Sequence, residues 1–268
     1  MIPKKIHYCW FGGKPLPQEA KDCIDSWRRY CPDYEIIEWN EGNYDVHKNR
    51  YMSDAYKNKK WGFVPDYARL DLIYQHGGIY MDTDVELIKP IDDLLDYEAY
   101  AGIESPGTVA LGLGFGAAAG NHIIKEMRDF YDTFSFYKAD GTLDLTASPV
   151  LQTKILKKYG LNEKDENQVV SGMHIFASEY FCPIKFSTNV MKKTKNTYSI
   201  HHYTSSWYTP KQARLRKLKL KMHNAHVPAP IQKLIIFPFR VVIIIDNVGI
   251  SKFFMLLKNR IEEKVFNR

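Results

Sequence analysis

The chain has 268 residues, 45% of them hydrophobic and 25% charged. This excludes a disordered or fibrous chain and leaves room for one large α/β domain or two small ones. The formal charge of +6 conceals a division: residues 1–184 carry 20 Lys and Arg against 28 Asp and Glu, a net of −8, and residues 185–268 carry 17 against 3, a net of +14. A basic tail on an acidic body calls for an anionic partner, nucleic acid or an anionic membrane surface. The four cysteines, Cys9, Cys23, Cys31 and Cys182, match no zinc spacing, and no signal peptide precedes them. They read as free buried thiols in a reducing cytoplasm.

Residues 2–13 form a short apolar strand closed by Gly12-Gly13, the opening of a nucleotide-binding α/β unit whose ligands collect at strand carboxyl ends. Trp10 is either a core residue or a flat face for a base. Pro17 to Arg29 has Ala20, Ile24 and Trp27 at helical spacing, and Tyr34 to Trp39 alternates as a half-buried strand. Asp45 to Lys60 reads as a helix and a loop. After Pro65, Leu70, Ile73 and Tyr74 recur at helical spacing until Gly77-Gly78, where glycine tolerates the left-handed conformation that ends a helix. Asp66 and Arg69, three apart, share a face of that helix. Strands alternating with helices predict a mostly parallel sheet flanked by helices. There is no GxGxxG and no GxxxxGK[ST], which disfavours a Rossmann dehydrogenase and a P-loop NTPase.

Ile79, Tyr80 and Met81 form the next strand, followed by Asp82-Thr83-Asp84. Alternation along a strand puts both carboxylates on one face, where they repel unless a cation lies between them. Hard oxygen ligands suit Mg²⁺ or Mn²⁺ completed by substrate phosphates. A bare Asp-x-Asp is also the pattern of a solvated turn; the helix, the double glycine and the strand before it make this instance specific.

Further on, Ile91 to Leu95 starts a helix and Tyr100 to Glu104 is a strand. Ala110 to Gly120 reads as a tightly packed strand and turn, with backbone beside a ligand as the other reading. Asn121 to Tyr131 is a helix burying Ile123, Ile124, Met127 and Phe130, and a helix begins at Ser148-Pro149. In Ser199 to Trp207 two adjacent histidines, His201 and His202, point to opposite faces, so at most one reaches a metal. Histidine is a better ligand for Mn²⁺ than for Mg²⁺. Lys211, Arg214, Arg216, Lys217, Lys219 and Lys221 crowd a further helix. Ile231 to Ile250 is broken by Lys233, Pro238, Arg240 and Asp246, so no run reaches the ~18 apolar residues of a membrane span. That mixture suits either a segment lying on an anionic membrane or a helical cap on the body. No nucleic-acid-binding motif is visible.

The run Asp66…Arg69…Gly77-Gly78-Ile79-Tyr80-Met81-Asp82-Thr83-Asp84 resembles the DXD glycosyltransferases, above all glycosyltransferase family 32 with its capsular-polysaccharide and Och1-like sugar transferases. It is more distantly similar to the catalytic domains of the clostridial glucosylating toxins. Ile6-His7…Trp10…Gly12-Gly13 resembles the toxins' opening segment, in which the tryptophan stacks on uracil. His201…Ser206-Trp207 resembles the family's closing segment, and Ser148-Pro149…Thr153 and Ile175 to Pro183 are weaker matches.

The resemblance covers residues 2–207 and implies a GT-A fold over residues 1–210, with a basic α-helical extension over residues 211–268. It implies retaining transfer of a hexose from a nucleotide-diphosphate sugar, with UDP the expected nucleotide, to a glycan or lipid-linked glycan acceptor, in capsule or other surface-glycan synthesis. Asp84 and His201, with His202 the fallback, would hold Mn²⁺ or Mg²⁺. Asp82 would contact ribose, donor sugar and metal. Asp66 and Arg69 would grip sugar hydroxyls and a phosphate oxygen, and Ser206 and Trp207 would donate to the diphosphate. The expected location is cytoplasmic, peripheral at the inner face of the membrane. Two other classes fit parts of the pattern, a metal-dependent phosphoryl-transfer enzyme and a non-catalytic carbohydrate-binding module.

Overall fold

A computed structural model of the protein describes residues 1–185, 190–204, 210–225, 227–250 and 254–255. The chain divides into two compact units, residues 1–186 with 190–204, and residues 187–189 with 205–268.

The first unit runs β1 (Lys5–Cys9), α1 (Gln18–Tyr30), β2 (Glu35–Trp39), α2 (Arg50–Lys57), α3 (Pro65–His76), β3 (Gly78–Tyr80) and β4 (Val85–Leu87). It continues with a 3₁₀ turn (Asp92–Asp96), β5 (Ala99–Ser105), β6 (Thr108–Ala110), a second 3₁₀ turn (Leu111–Leu113), β7 (Phe115–Ala117), α4 (His122–Thr133) and α5 (Ser148–Lys157). It closes with β8 (Gln168–Val170), β9 (Met173–Phe176), α6 (Ser178–Phe181), β10 (Ile184–Lys185), β11 (Val190–Met191) and β12 (Ser199–His201).

The central sheet has the order β2-β1-β3-β7-β5-β9-β8, with β6 on β5. The expected parallel arrangement holds through β2-β1-β3 and again at β5-β9, and four antiparallel pairings, through β6, β7 and β8, make the sheet mixed. β3 and β5 both run antiparallel to β7, so β1, β3, β5 and β9 point their carboxyl ends to one edge. The acid pair just past β3 at that edge is the arrangement expected of a GT-A fold. Strand alternation sends Ile6, Ile79 and Tyr100 into one apolar cluster and Cys9, Tyr80, Ala99 and Ala101 into the other, which covers both faces of the sheet. All four cysteines are free and buried.

α3 is buried along nearly its whole length, Asp66 and Arg69 included. It ends where the periodicity said: Gly77 has φ 62°, and its N–H bonds to the Ile73 carbonyl at 2.9 Å. At Gly78, φ 105°, a Cβ would lie 2.9 Å from His7 Nε2, so only glycine fits. His7 is wholly buried. Its Nδ1 takes the indole N–H of Trp39 at 3.0 Å. Indole is a donor only, so Nε2 carries the proton and donates to the Gly77 carbonyl at 2.9 Å. One imidazole thereby ties β2, β1 and the α3–β3 turn together.

α1 packs on β4. The Trp27 indole donates to the Val85 carbonyl at 2.7 Å, and Ser26 Oγ accepts from Leu87 N–H at 2.9 Å. The other edge of β4 pairs antiparallel with β12, His201 opposite Val85. In α4, Phe130 is only half-buried and Tyr131 takes the interior position.

In the second unit, α7 (Pro210–Asn224) and α8 (Ala229–Val248) form a helix pair. Leu215, Met222 and Ile236 make a small core, and Lys211 pairs with Asp246 at 2.6 Å. No helix among the described residues is long and apolar enough to cross a membrane.

Burial lowers the pKa of His7 to about 4, although the Gly77 carbonyl favours the charged ring. The unfolded chain, with a His pKa near 6.5, binds the extra proton first, so this contribution to stability is present above about pH 6.5 and is lost as pH falls through about 4. The melting temperature should fall across that window, and His7→Asn should flatten the fall in thermal melts at graded pH.

Candidate active site

The acid pair does not sit on an extended strand. β3 stops at Tyr80, and residues 82–84 form a turn closed by Val85 N–H to the Asp82 carbonyl at 3.1 Å. The turn, rather than strand alternation, brings the two carboxylates together. Candidate ligand atoms of Asp82, Asp84 and His201 all lie within 4.8 Å of one another. Among the described residues these three make the one such cluster of His, Cys, Asp and Glu.

Both acids are held from behind. Asp82 N–H donates to the Gly112 carbonyl at 3.1 Å, and its carboxylate accepts from Tyr80 Oη at 3.0 Å. Asp84 accepts from His201 Nε2 at 3.1 Å, from Thr204 N–H at 3.0 Å and from Thr204 Oγ1 at 3.1 Å. The β4–β12 register settles which histidine faces the acids: His201 turns to Asp84, and His202 turns away to Glu86 at 2.8 Å. Tyr203, buried at φ 52°, places its ring 4.2 Å from that of His201. A left-handed backbone at a bulky residue costs about 1–3 kcal/mol, a strain characteristic of functional sites.

Arg69 joins the pair to α3. Its Nη2 donates to Asp66 Oδ1 at 2.9 Å, Nη1 lies 3.5 Å from Asp82 Oδ1, and the guanidinium stands over the Tyr80 ring at 5.1 Å. Asp66 also accepts from Tyr51 Oη at 3.3 Å. Burial pushes the Asp66 carboxyl up to about 6 against the pull of Arg69. Burial opposes the Arg69 cation too, but Asp82, Tyr80 and Asp66 together hold it above its ordinary range. At Asp84, burial would raise the carboxyl, yet the His201 charge and the His201 and Thr204 hydrogen bonds bring it down to about 2. His201 is correspondingly raised: burial lowers it, but Asp84, Asp82 and Glu104 together outweigh burial. Three carboxylates thus meet one guanidinium and one imidazole, an excess of negative charge that fits a divalent cation. The two carboxylates suit Mn²⁺ or Mg²⁺, the imidazole nitrogen favours Mn²⁺, and His201 Nδ1 is buried without a hydrogen-bond partner.

The Gly/Ala-rich segment closes the floor. A Cβ on Gly112 would lie 2.1 Å from Asp82 Oδ2 and 3.2 Å from Arg69 Nη1. α5 holds this loop from outside: Thr153 Oγ1 accepts from Val109 N–H at 2.9 Å, and Gln152 Oε1 from Leu111 N–H at 3.4 Å. Trp10 follows β1 at the same sheet edge, half-buried, its indole donating to the Lys14 carbonyl at 2.6 Å. Ser206 and Trp207 lie outside the described residues. Sequence reasoning missed Tyr80, Thr204 and Gly112 as supports. Only Gly112 carried a signal, a glycine in an apolar run beside the acid pair.

Residues 17–101 match a family described as the glycosyltransferase sugar-binding region containing a DXD motif. The chain is 31% identical over 121 residues to inositol phosphoceramide mannosyltransferase 3 of Schizosaccharomyces pombe, covering 41% of this chain and 32% of that protein. It is 23% identical over 221 residues to subversion of eukaryotic traffic protein A of Legionella pneumophila, covering 63% and 34%. The chain therefore spans about a third of the length of these curated relatives. Among solved structures, the PaToxG glycosyltransferase matches at a TM-score of 0.44 with 18% identity, over 59% of this chain and 68% of that one.

Gly112→Ala should cost on the order of 1–3 kcal/mol of stability, because the methyl group displaces the Asp82 carboxylate or the loop itself. Urea unfolding of the two proteins measures it. Gly120→Ala, at a glycine with open space around its Cβ position but a positive φ of 76° that Gly112 does not share, measures backbone strain without crowding, so the pair separates the two.

Proposed function

We propose that this chain, which carries the DXD sugar-binding region and is similar to glycosyltransferase family 32, transfers a hexose from a nucleotide-diphosphate sugar to an acceptor hydroxyl. The observation that carries the reading is the convergence of Asp82, Asp84 and His201 at the carboxyl edge of the sheet, with Arg69 behind them. Asp84 and His201, joined by Asp82, would hold Mn²⁺ or Mg²⁺. When bound, the cation supplies positive charge against the diphosphate. His201 favours Mn²⁺.

In the transfer, the bond from the anomeric carbon to the diphosphate oxygen breaks and a bond to the acceptor oxygen forms. The acceptor's hydroxyl proton goes to the departing phosphate, which gains negative charge. Arg69, fixed on both sides by carboxylates, aims a guanidinium at that charge, and a group oriented beforehand needs no reorganisation during the reaction. Asp66 and Asp82 accept hydrogen bonds from sugar and ribose hydroxyls, and Trp10 offers its face to the base, for which UDP is the expected nucleotide. Retention of configuration, Ser206 and Trp207 as phosphate donors, and a role in capsule or other surface-glycan synthesis come with the family resemblance. Two-metal phosphoryl transfer calls for a second cluster of ligands, and the described residues hold one.

The second unit supports a place for the reaction. Outside its small core, α8 exposes Leu234 (76%) and Phe237 (65%), with Ile231, Phe239 and Val242 also exposed. α7 adds exposed Lys211, Arg214, Lys217 and Lys221. An apolar face beside basic residues fits the surface of an anionic bilayer, at which a lipid-linked glycan acceptor would be met. In the proposed organisation residues 1–210 transfer the sugar and residues 211–268 dock at the cytoplasmic face.

Purified protein should release free UDP from a UDP-hexose only when Mn²⁺ or Mg²⁺ is supplied. Asp84→Asn should lower that rate on the order of 10²-fold or more while the melting temperature is retained. A rate indifferent to both the cation and the substitution removes the reading. Separately, the full chain should sediment with phosphatidylserine vesicles at low salt and be released at high salt, since each Lys or Arg at such a surface contributes about 1 kcal/mol that salt screens. Absence of sedimentation at low salt removes the docking role and leaves the transferase reading standing.

A further inference from the structure

A cavity of about 560 Å³ lies outside the cluster, lined by Glu104, Ser105, Asp165, Ser178, Cys182 and Lys192 among others. It opens beyond β5 and β9, which run parallel with Gly102 opposite Phe176. Those strands end at the same sheet edge as β1 and β3. The donor site proposed above occupies the β1 and β3 end of that edge, and the cavity lies toward its β5 and β9 end.

The wall between the two is specific. Glu104 falls at a β-bulge: Ile103 pairs with Val109 and Ser105 with Thr108, leaving Glu104 as the extra residue of β5. Bulges beside active sites re-aim a side chain. This one turns the Glu104 carboxylate toward Tyr203, whose hydroxyl bonds to it. Tyr203 Oη also meets Cys182 Sγ at 2.8 Å, and its ring packs against that of His201 at a tilt of 60°. One strained tyrosine therefore touches the cavity wall through Glu104 and Cys182 and the metal-ligating face through His201.

The lining states its ligand. Asp165 is occupied by Ser178, through N–H at 2.7 Å and Oγ at 2.6 Å, and Glu179 by Asn196 at 2.7 Å. Glu104 keeps acceptor capacity beyond the Tyr203 bond, since a carboxylate offers about four lone-pair sites. Three carboxylates, Glu104, Asp165 and Glu179, against one cation, Lys192, leave the lining net negative, and with the hydroxyls of Ser105, Ser178 and Thr194, beside Pro106, Ala177 and Pro183, this suits a neutral polyhydroxylated ring over a phosphate or other anion.

We propose that this cavity is the acceptor subsite, that it takes a neutral hexose residue, and that Glu104 accepts a hydrogen bond from an acceptor hydroxyl at the boundary with the donor sugar. The proposal rests on the transferase reading above. It assigns the recognised part of the acceptor to sugar rather than to a lipid phosphate.

Saturation-transfer NMR tests it on the full-length protein with UDP, Mg²⁺ and the methyl glycosides of mannose, glucose and galactose. At least one methyl hexoside should receive saturation from the wild type. Ser105→Trp, which fills the cavity from an exposed strand end, should abolish that signal with UDP signals unchanged. Glu104→Gln should weaken hexoside binding about tenfold, the loss of one charge-assisted hydrogen bond, at an unchanged melting temperature. A hexoside signal that survives Ser105→Trp overturns the proposal, as does UDP binding with no hexoside signal. Failure of UDP itself to bind the wild type overturns the transferase reading, and this inference with it.

Discussion

The site depends on one buried cation. Arg69, 5% exposed, reaches Asp66 within its own helix and Asp82 beyond the glycine turn. Among the described residues it is the side chain that joins α3 electrostatically to the acid pair. A guanidinium taken out of water on this scale is stable only with carboxylates on it. The carboxylates in turn need it, because Asp66 lies deep enough for burial alone to favour its neutral form. Replacing Arg69 leaves Asp66 without its cation, replacing Asp66 leaves the buried guanidinium to Asp82 alone, and the Arg69–Asp82 contact ties the helix to the acid turn.

The remaining supports follow from that fixed point. α3 must stop where it does for β3 to run beside β1, and His7 enforces the stop by occupying the space of a Cβ on Gly78. α1 then positions β4 through Trp27 and Ser26, and β4 carries β12 as its partner. His201 is thus brought to the acid pair by a ladder whose register is itself held by a helix formed near the start of the chain. Gly112 completes the enclosure from the β6–β7 side, where no other residue leaves Asp82 its place.

Much of this was legible in the sequence because it is local. The α3 periodicity, the double glycine and the strand behind it are all encoded within about twenty residues, and Asp66 and Arg69 share a face by helical geometry alone. The acid pair was found by a pattern whose stated geometry differs from the observed one: a turn, not an alternating strand, juxtaposes Asp82 and Asp84. The choice of His201 over His202 needed the β4–β12 register, a pairing across more than a hundred residues that no local pattern contains. Glu104 carried no signal, since a single extra residue in β5 looks like any other strand residue until its partner strand is known. Phe130 and Tyr131 are both large and adjacent, and tertiary packing chose the second for the interior.

The ladder that brings His201 opposite Val85 closes a loop of more than a hundred residues. Such a closure is entropically costly and is made late, after contacts near in sequence have formed. The helix–turn–strand segment bearing both acids can assemble from its neighbours, but the histidine arrives only with the return of the chain. Local opening should begin at that same seam, so the cluster would come apart while β1, β3 and α3 stay folded. Ligand binding across Asp84 and His201 would then act as a clasp on this closure, coupling occupancy of the site to the resistance of residues 190–204 against proteolysis.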